Sequence, residues 1–330
     1  MKLIEYINSE SRSFFLPDMG TNGLYIMGYT AYEVYKSPIK QLNLATKMNE
    51  IFESDFIYSL CDGAIFCETL GLELLKPKYD FPSVLKHSIT DIEKLRNYSI
   101  PDPYNSGRMP TNLKSLNLIA NNIDKPLYVS IQGPFTLAIQ LAGATHFLRS
   151  IIKNPLFVKT LLNFTTETVK RYALAVEEAG AKYISIAEPS VVTLSPERFR
   201  NLIVSNLNEI YDSLNCWKGL HICGDTSAFL EFMFSCHIDA VSLDQIMEYE
   251  KVIKVVPKDV VLIGNLDPIN LLNNSEPDKI AEETKKLIKT MLPYKNFICA
   301  FGCNCMNTTP IKNLQTAINT GRITYDKLGV

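Results

Sequence analysis

Between residues 127 and 301 the chain repeats one pattern: a short apolar run, a polar residue where the run stops, and then a stretch with helical spacing. The runs are 127–131, 183–187, 219–223, 240–243, 260–263 and 297–301. Each is apolar at successive positions rather than alternate ones, as expected of a strand covered on both faces and so of a parallel sheet flanked by helices. Repeats of this kind close into a (β/α)8 barrel or open into a doubly wound sheet. The polar residues decide between them. Glu188, His221, Cys223, Asp225, Asp244, Asn265, Asp267 and Cys303 all fall at the C-terminal ends of successive strands, the end on which barrel enzymes build their sites. No G-x-G-x-x-G turn opens the first unit, which argues against a dinucleotide fold. The expected fold is α/β, a (β/α)8 TIM barrel with an N-terminal helical elaboration, forming a single domain over 1–330.

The first hundred residues form that elaboration, with helical spacing over 39–56 and 63–75 and a short strand expected within 59–65. The stretch 101–110 is dense in turn formers and reads as a loop. A helix is expected after Thr309, which is placed to cap it, with Pro310 at its first position.

The chemistry concentrates in His221-Ile222-Cys223 and in Gly302-Cys303-Asn304-Cys305. Residues two apart on a strand point to the same face, so the His221 imidazole and the Cys223 sulfur project side by side. A thiolate from the later loop, Cys303 or Cys305, would complete the nitrogen and sulfur donor set of a catalytic zinc, leaving a fourth position open. The other cysteines read as buried thiols, because eight in 330 residues are too sparse for a disulfide scaffold.

Charge narrows the partners. The 33 basic and 35 acidic residues leave a net charge of -2 without long runs of either sign, so neither a nucleic-acid track nor a polybasic membrane patch is present. The N-terminus lacks a basic start followed by an apolar run, and no apolar stretch reaches about eighteen residues, so a cytoplasmic location is expected.

Taken together, these pieces resemble the uroporphyrinogen decarboxylase superfamily, and within it the zinc-dependent methylcobamide:thiol methyltransferases. The resemblance rests on Pro101-Asp102-Pro103 with Gly107-Arg108-Met109-Pro110, Gln132-Gly133-Pro134-Phe135-Thr136, and Glu188-Pro189 with Leu194-Ser195-Pro196-Glu197. It continues through His221-Ile222-Cys223-Gly224-Asp225, Ser242-Leu243-Asp244, Gly264-Asn265-Leu266-Asp267-Pro268 and Gly302-Cys303. The resemblance implies zinc held by His221, Cys223 and Cys303, with Asp244 as a displaceable fourth ligand, these four forming the catalytic set. Cys303 is preferred to Cys305 because it follows the strand and glycine that match the family. An aspartate stands at 244 where a longer glutamate is expected, and Glu188 stands where the family commonly has aspartate.

The resemblance further implies transfer of a methyl group from a methylcorrinoid, carried on a separate corrinoid protein, to a small thiol such as coenzyme M. Zinc coordination favours the thiolate over the thiol, which supplies the nucleophile. Glu188, Asn265, Asp267 and Arg108 are the candidates for contacting the corrinoid or the acceptor, with Arg108 or the start of the Pro310 helix placed to hold an anionic tail. Two other readings stand beside this one. The first is a metal-free tetrapyrrole decarboxylase, disfavoured because 20–27 contains no arginine. The second is a non-catalytic corrinoid-binding or metal-binding accessory protein.

Overall fold

In the computed structural model, which describes residues 1–328, the strands form a ring. The strands are β1 (Phe14–Leu16), β2 (Leu74–Leu75), β3 (Ser83–Val84), β4 (Tyr128–Gln132), β5 (Tyr183–Ala187), β6 (Trp217–Ile222), β7 (Ala240–Leu243), β8 (Val261–Leu266) and β9 (Phe297–Phe301). Seven of them make one parallel sheet in the order β1-β9-β8-β7-β6-β5-β4, while β2 and β3 form a separate antiparallel pair. The gap between β1 and β4 is closed by residues 55–57. Asp55 N donates to Phe15 O (3.1 Å), Ile57 N to Pro126 O (2.9 Å), and Ile57 pairs in parallel with Leu127. This short stave is the eighth strand position, so the expected barrel is the observed architecture.

Alternation along the strands sorts side chains into two layers. Phe14, Leu16, Phe56, Tyr128, Tyr183, Ala240, Val261, Ile263, Ile298 and Ala300 fill the interior. The intervening Phe15, Leu262, Cys299 and Phe301 belong to the outer layer, where strands meet the surrounding helices. The N-terminal helix Leu3–Ile7 joins the interior cluster through Leu3 and Ile7, and Tyr6 lies 5.1 Å from the Trp217 ring. It therefore plugs the barrel at the end where the strands start. The opposite end stays free for polar residues.

Several boundaries move relative to the sequence reading. The short strand expected within 59–65 pairs instead at Ile57, and Ile65–Thr69 is helical. Phe14–Leu16, which lies in the expected N-terminal elaboration, is a barrel strand, too short at three residues to show a period. Thr309 does not cap the last helix. That helix spans Ile311–Gly321 with Pro310 at the N-cap, and the Thr309 hydroxyl is buried without a partner. No single helix among the described residues is long and apolar enough to cross a membrane.

Candidate metal centre

His221 sits near the end of β6 with its ring on the interior side, and the register places it directly beside Ser242 of β7. The Ser242 hydroxyl lies 3.0 Å from His221 Nδ1, which fixes the ring and turns Nε2 toward the loops. Cys223 follows two residues on, with its sulfur 3.1 Å from Nε2. From the far side of the sheet order, the loop after β9 brings the Cys303 sulfur to 3.6 Å from that of Cys223. One donor atom from each of the three residues lies within 4.8 Å of the others. Eighty residues of chain separate the two sulfurs, and the barrel brings them together.

The loop distinguishes the two candidate thiols. Cys305 is buried and stands outside the cluster, with burial holding its thiol well above the usual range. Cys299 is buried in the outer layer, as expected of a residue inside an apolar run.

Two sulfurs this close cannot both carry charge without a cation. The contact between the two sulfurs, in which either can donate, and the neighbouring His221 hold the Cys303 pKa well below the usual thiol range. The same hydrogen bond, together with burial, pushes Cys223 far up. For His221, burial favours the neutral ring, but the Cys303 thiolate and the carboxylates Asp18 and Asp244 outweigh it and raise its pKa. A divalent cation would replace the shared proton and relieve the repulsion. The donors suit zinc: sulfurs at about 2.3 Å from a tetrahedral zinc stand roughly 3.8 Å apart, close to the 3.6 Å observed. A borderline-soft nitrogen and two thiolates select such an ion over magnesium or calcium.

The remaining expected site residues have other partners. Asp244 accepts from Gly224 N (2.8 Å) through one oxygen and from Ile246 N (3.1 Å) through the other, so it shapes the turn carrying Cys223 and stands outside the donor cluster. Glu188 is fully buried and accepts from Phe135 N, Thr136 N and Thr136 Oγ1 at 2.6–2.8 Å, capping the helix Pro134–Ala142. Its own backbone N–H donates to His221 O (2.9 Å), tying that cap to the end of β6. Asn265 donates to Asp244 O and Met247 O, and Asp267 accepts from Ile269 N and Asn270 N. Arg108 is held by Asp62 (2.5 Å) and Glu68 and lies over the Tyr35 ring, so its charge is already neutralised.

One residue at the site was not anticipated. Asp18, just past β1, lines a small cavity of about 10 Å³ together with His221, Cys303, Ser242, Tyr128 and Tyr183. The signal was present, since Phe14-Phe15-Leu16 is an apolar run closed by Pro17-Asp18, but three residues give no periodicity.

The uroporphyrinogen decarboxylase family model matches residues 21–322. The chain belongs to the uroporphyrinogen decarboxylase family. Within or beside this family, the chain is 30% identical over 251 residues to a methylcobamide:CoM methyltransferase of Methanosarcina acetivorans, covering 73% of this chain and 71% of that one. It is 26% identical over 263 residues to a methylated-thiol–coenzyme M methyltransferase of Methanosarcina mazei, covering 78% and 69%. A solved methyltransferase structure from Methanosarcina mazei superposes with a TM-score of 0.86 at 25% identity, covering 98% of this chain and 95% of that one.

Proposed function

We propose that the chain is a zinc-dependent methyltransferase that moves a methyl group from a methylated corrinoid, presented by a separate carrier protein, to a small thiol. The observation that carries this reading is the convergence of His221, Cys223 and Cys303 within 4.8 Å at the C-terminal end of the barrel. The methyltransferase relatives and the fold likeness support the same reaction class.

His221 Nε2 and the sulfurs of Cys223 and Cys303 would hold the zinc, with Ser242 orienting the imidazole. The bound ion would supply Lewis acidity that favours the thiolate form of the acceptor at neutral pH. Two cysteine thiolates in the donor set bring negative charge that keeps the acceptor sulfur electron-rich. The apolar barrel interior below the site, with Leu16, Ile263 and Ala300, excludes bulk water from that side. Methyl transfer would then be a displacement at carbon, with the corrinoid leaving in its reduced form and carrying the difficult redox chemistry.

The decarboxylase alternative calls for cationic groups to grip an acidic tetrapyrrole. None is present at 20–27, and Arg108 is already paired with Asp62 and Glu68.

Purified protein should contain one zinc per chain, lost in Cys223→Ser. It should also generate the cob(I)alamin absorption when methylcobalamin is mixed with a panel of thiols including coenzyme M and homocysteine. Zinc-free protein that decarboxylates a tetrapyrrole would sink the proposal.

A further inference from the structure

We propose that the acceptor for this centre is an aminothiol, a small thiol whose tail carries a protonated amine, rather than a thiol with an anionic tail; this rests on the zinc reading above. The segments that leave the C-terminal ends of the eight staves are 17–30, 58–64, 133–136, 188–195, 223–229, 244–248, 267–275 and 302–310. Together they carry seven carboxylates and no Lys, Arg or His. The mouth of the barrel is therefore acidic, in a chain whose net charge is only -2.

The groups at this end that could grip an anion are already filled by the chain itself. Phe135 N and Thr136 N, at the start of the Pro134–Ala142 helix, donate to Glu188. The Arg108 guanidinium is held by Asp62 and Glu68. Gly224 N and Ile246 N donate to Asp244, and Ile269 N and Asn270 N to Asp267. The start of the Ile311–Gly321 helix is tied to the loop after β8, because Asn313 Nδ2 donates to Leu272 O (2.8 Å) and Ser275 O (2.9 Å). An anionic tail entering here meets carboxylates, and each of these donors is already claimed.

The metal centre adds no positive charge to offset this. A divalent zinc with two cysteine thiolates and a neutral imidazole is formally neutral, and it acquires a negative charge when the acceptor binds as a further thiolate. Asp244 accepts from the residue next to Cys223, and Asp18 lines the small cavity beside His221 and Cys303, so two carboxylates stand near that charge. A protonated amine close to the acceptor sulfur offsets it, whereas a sulfonate or carboxylate adds to it. The transfer itself balances as proposed above. The thiol proton passes to solvent on binding, the sulfur–carbon bond forms, and the cobalt–carbon bond breaks with its electron pair left on cobalt.

The test uses the full chain loaded with cobalt(II) and three thiols of equal length that differ only at the far end: 2-aminoethanethiol, 2-mercaptoethanol and 2-mercaptoethanesulfonate, which is coenzyme M. The sulfur-to-cobalt charge-transfer band reads the affinity of each, referred to its thiolate concentration so that differences in thiol acidity drop out. The amine is expected to bind about tenfold more tightly than the alcohol, and the alcohol about tenfold more tightly than the sulfonate, the scale of one charge several ångströms from a carboxylate at a protein surface. Both gaps are expected to shrink as salt is raised. In Asp225→Asn combined with Asp267→Asn, where the side-chain oxygens still accept from the same backbone amides, the spread is expected to narrow about two- to threefold. A sulfonate that binds as tightly as the alcohol, or a spread that neither salt nor the double variant narrows, would overturn the assignment. A chain that holds no metal, or shows no band with any of the thiols, is a different result, and it defeats the proposed function itself.

Discussion

Replacing Gly133 with alanine should destabilise the protein by about 3 kcal/mol, and that loss should almost disappear when Glu188 is also removed. The backbone at Gly133 has φ -79° and ψ 165°, an ordinary extended conformation open to any residue. Alanine there carries no backbone strain and reduces the freedom of the unfolded chain. What it meets is the Glu188 side chain, because a methyl group at 133 falls well inside van der Waals contact of Glu188 Cγ, Cδ and Oε1. Glu188 would have to give up its three hydrogen bonds to Phe135 N, Thr136 N and Thr136 Oγ1.

Each bond to an ionised group contributes about 1.5–3 kcal/mol, so the three together contribute roughly 6. Burial works against these bonds and outweighs them, so that the Glu188 pKa is raised from 4.5 to about 7 with the bonds in place. Leaving the Phe135 and Thr136 donors buried without an acceptor costs about 1–3 kcal/mol each before the site relaxes, so about 3 kcal/mol is expected for Gly133→Ala and a similar loss for Glu188→Ala. In the double variant the methyl group occupies space the carboxylate has vacated, so the combined loss should stay near 3 kcal/mol rather than double. Denaturant unfolding of the four proteins at pH 7 measures this coupling. Strictly additive losses would show that Gly133 serves some purpose other than making room for Glu188.

Metal content should separate the two neighbouring thiols, with Cys303→Ser losing the zinc measured by mass spectrometry and Cys305→Ser retaining it. Asp55 accepts from both Arg12 Nη atoms, from Arg322 and from Phe15 N while closing the barrel, so Asp55→Ala should cost about 3–5 kcal/mol in equilibrium unfolding. Arg108→Met leaves Asp62 buried beside Glu68 and should lower stability by a similar 3–5 kcal/mol without changing KM for the thiol, since its guanidinium is not free for substrate. Because the folded pKa of Glu188 is raised, the stability it contributes is full below its unfolded value of 4.5 and is lost as pH rises through about 7. Relative to Glu188→Gln, the wild type should therefore lose about 3 kcal/mol between pH 4.5 and 8, read from unfolding midpoints across that range.

The barrel was legible because a strand covered on both faces must be apolar at every position, and β5, β7 and β9 fall where their runs fall. The staves that escaped notice are the short ones. β1 has three residues and 55–57 makes one bridge, so neither is long enough for composition to outweigh the helices around it. Their barrel positions depend on contacts distant in sequence: Phe15 with Asp55, Ile57 with Leu127, and Phe14 with Ile298. A local pattern carries none of these pairings.

The same division explains which site residues could be read from the chain. His221 and Cys223 were legible because the strand period alone places two side chains on one face, and few residue types make soft ligands. Carboxylates carry no such restriction. Asp244, Asp267 and Glu188 stand at strand ends, where a ligand would stand, but strand ends are also where backbone amides lack partners, and each carboxylate is occupied with those amides. An acidic residue after a barrel strand is therefore ambiguous until its partners are counted, whereas an imidazole and a thiol two residues apart are much less so. Asp18, which has no side-chain partner among the described residues beyond the Gly20 backbone, follows the stave that the sequence pattern concealed.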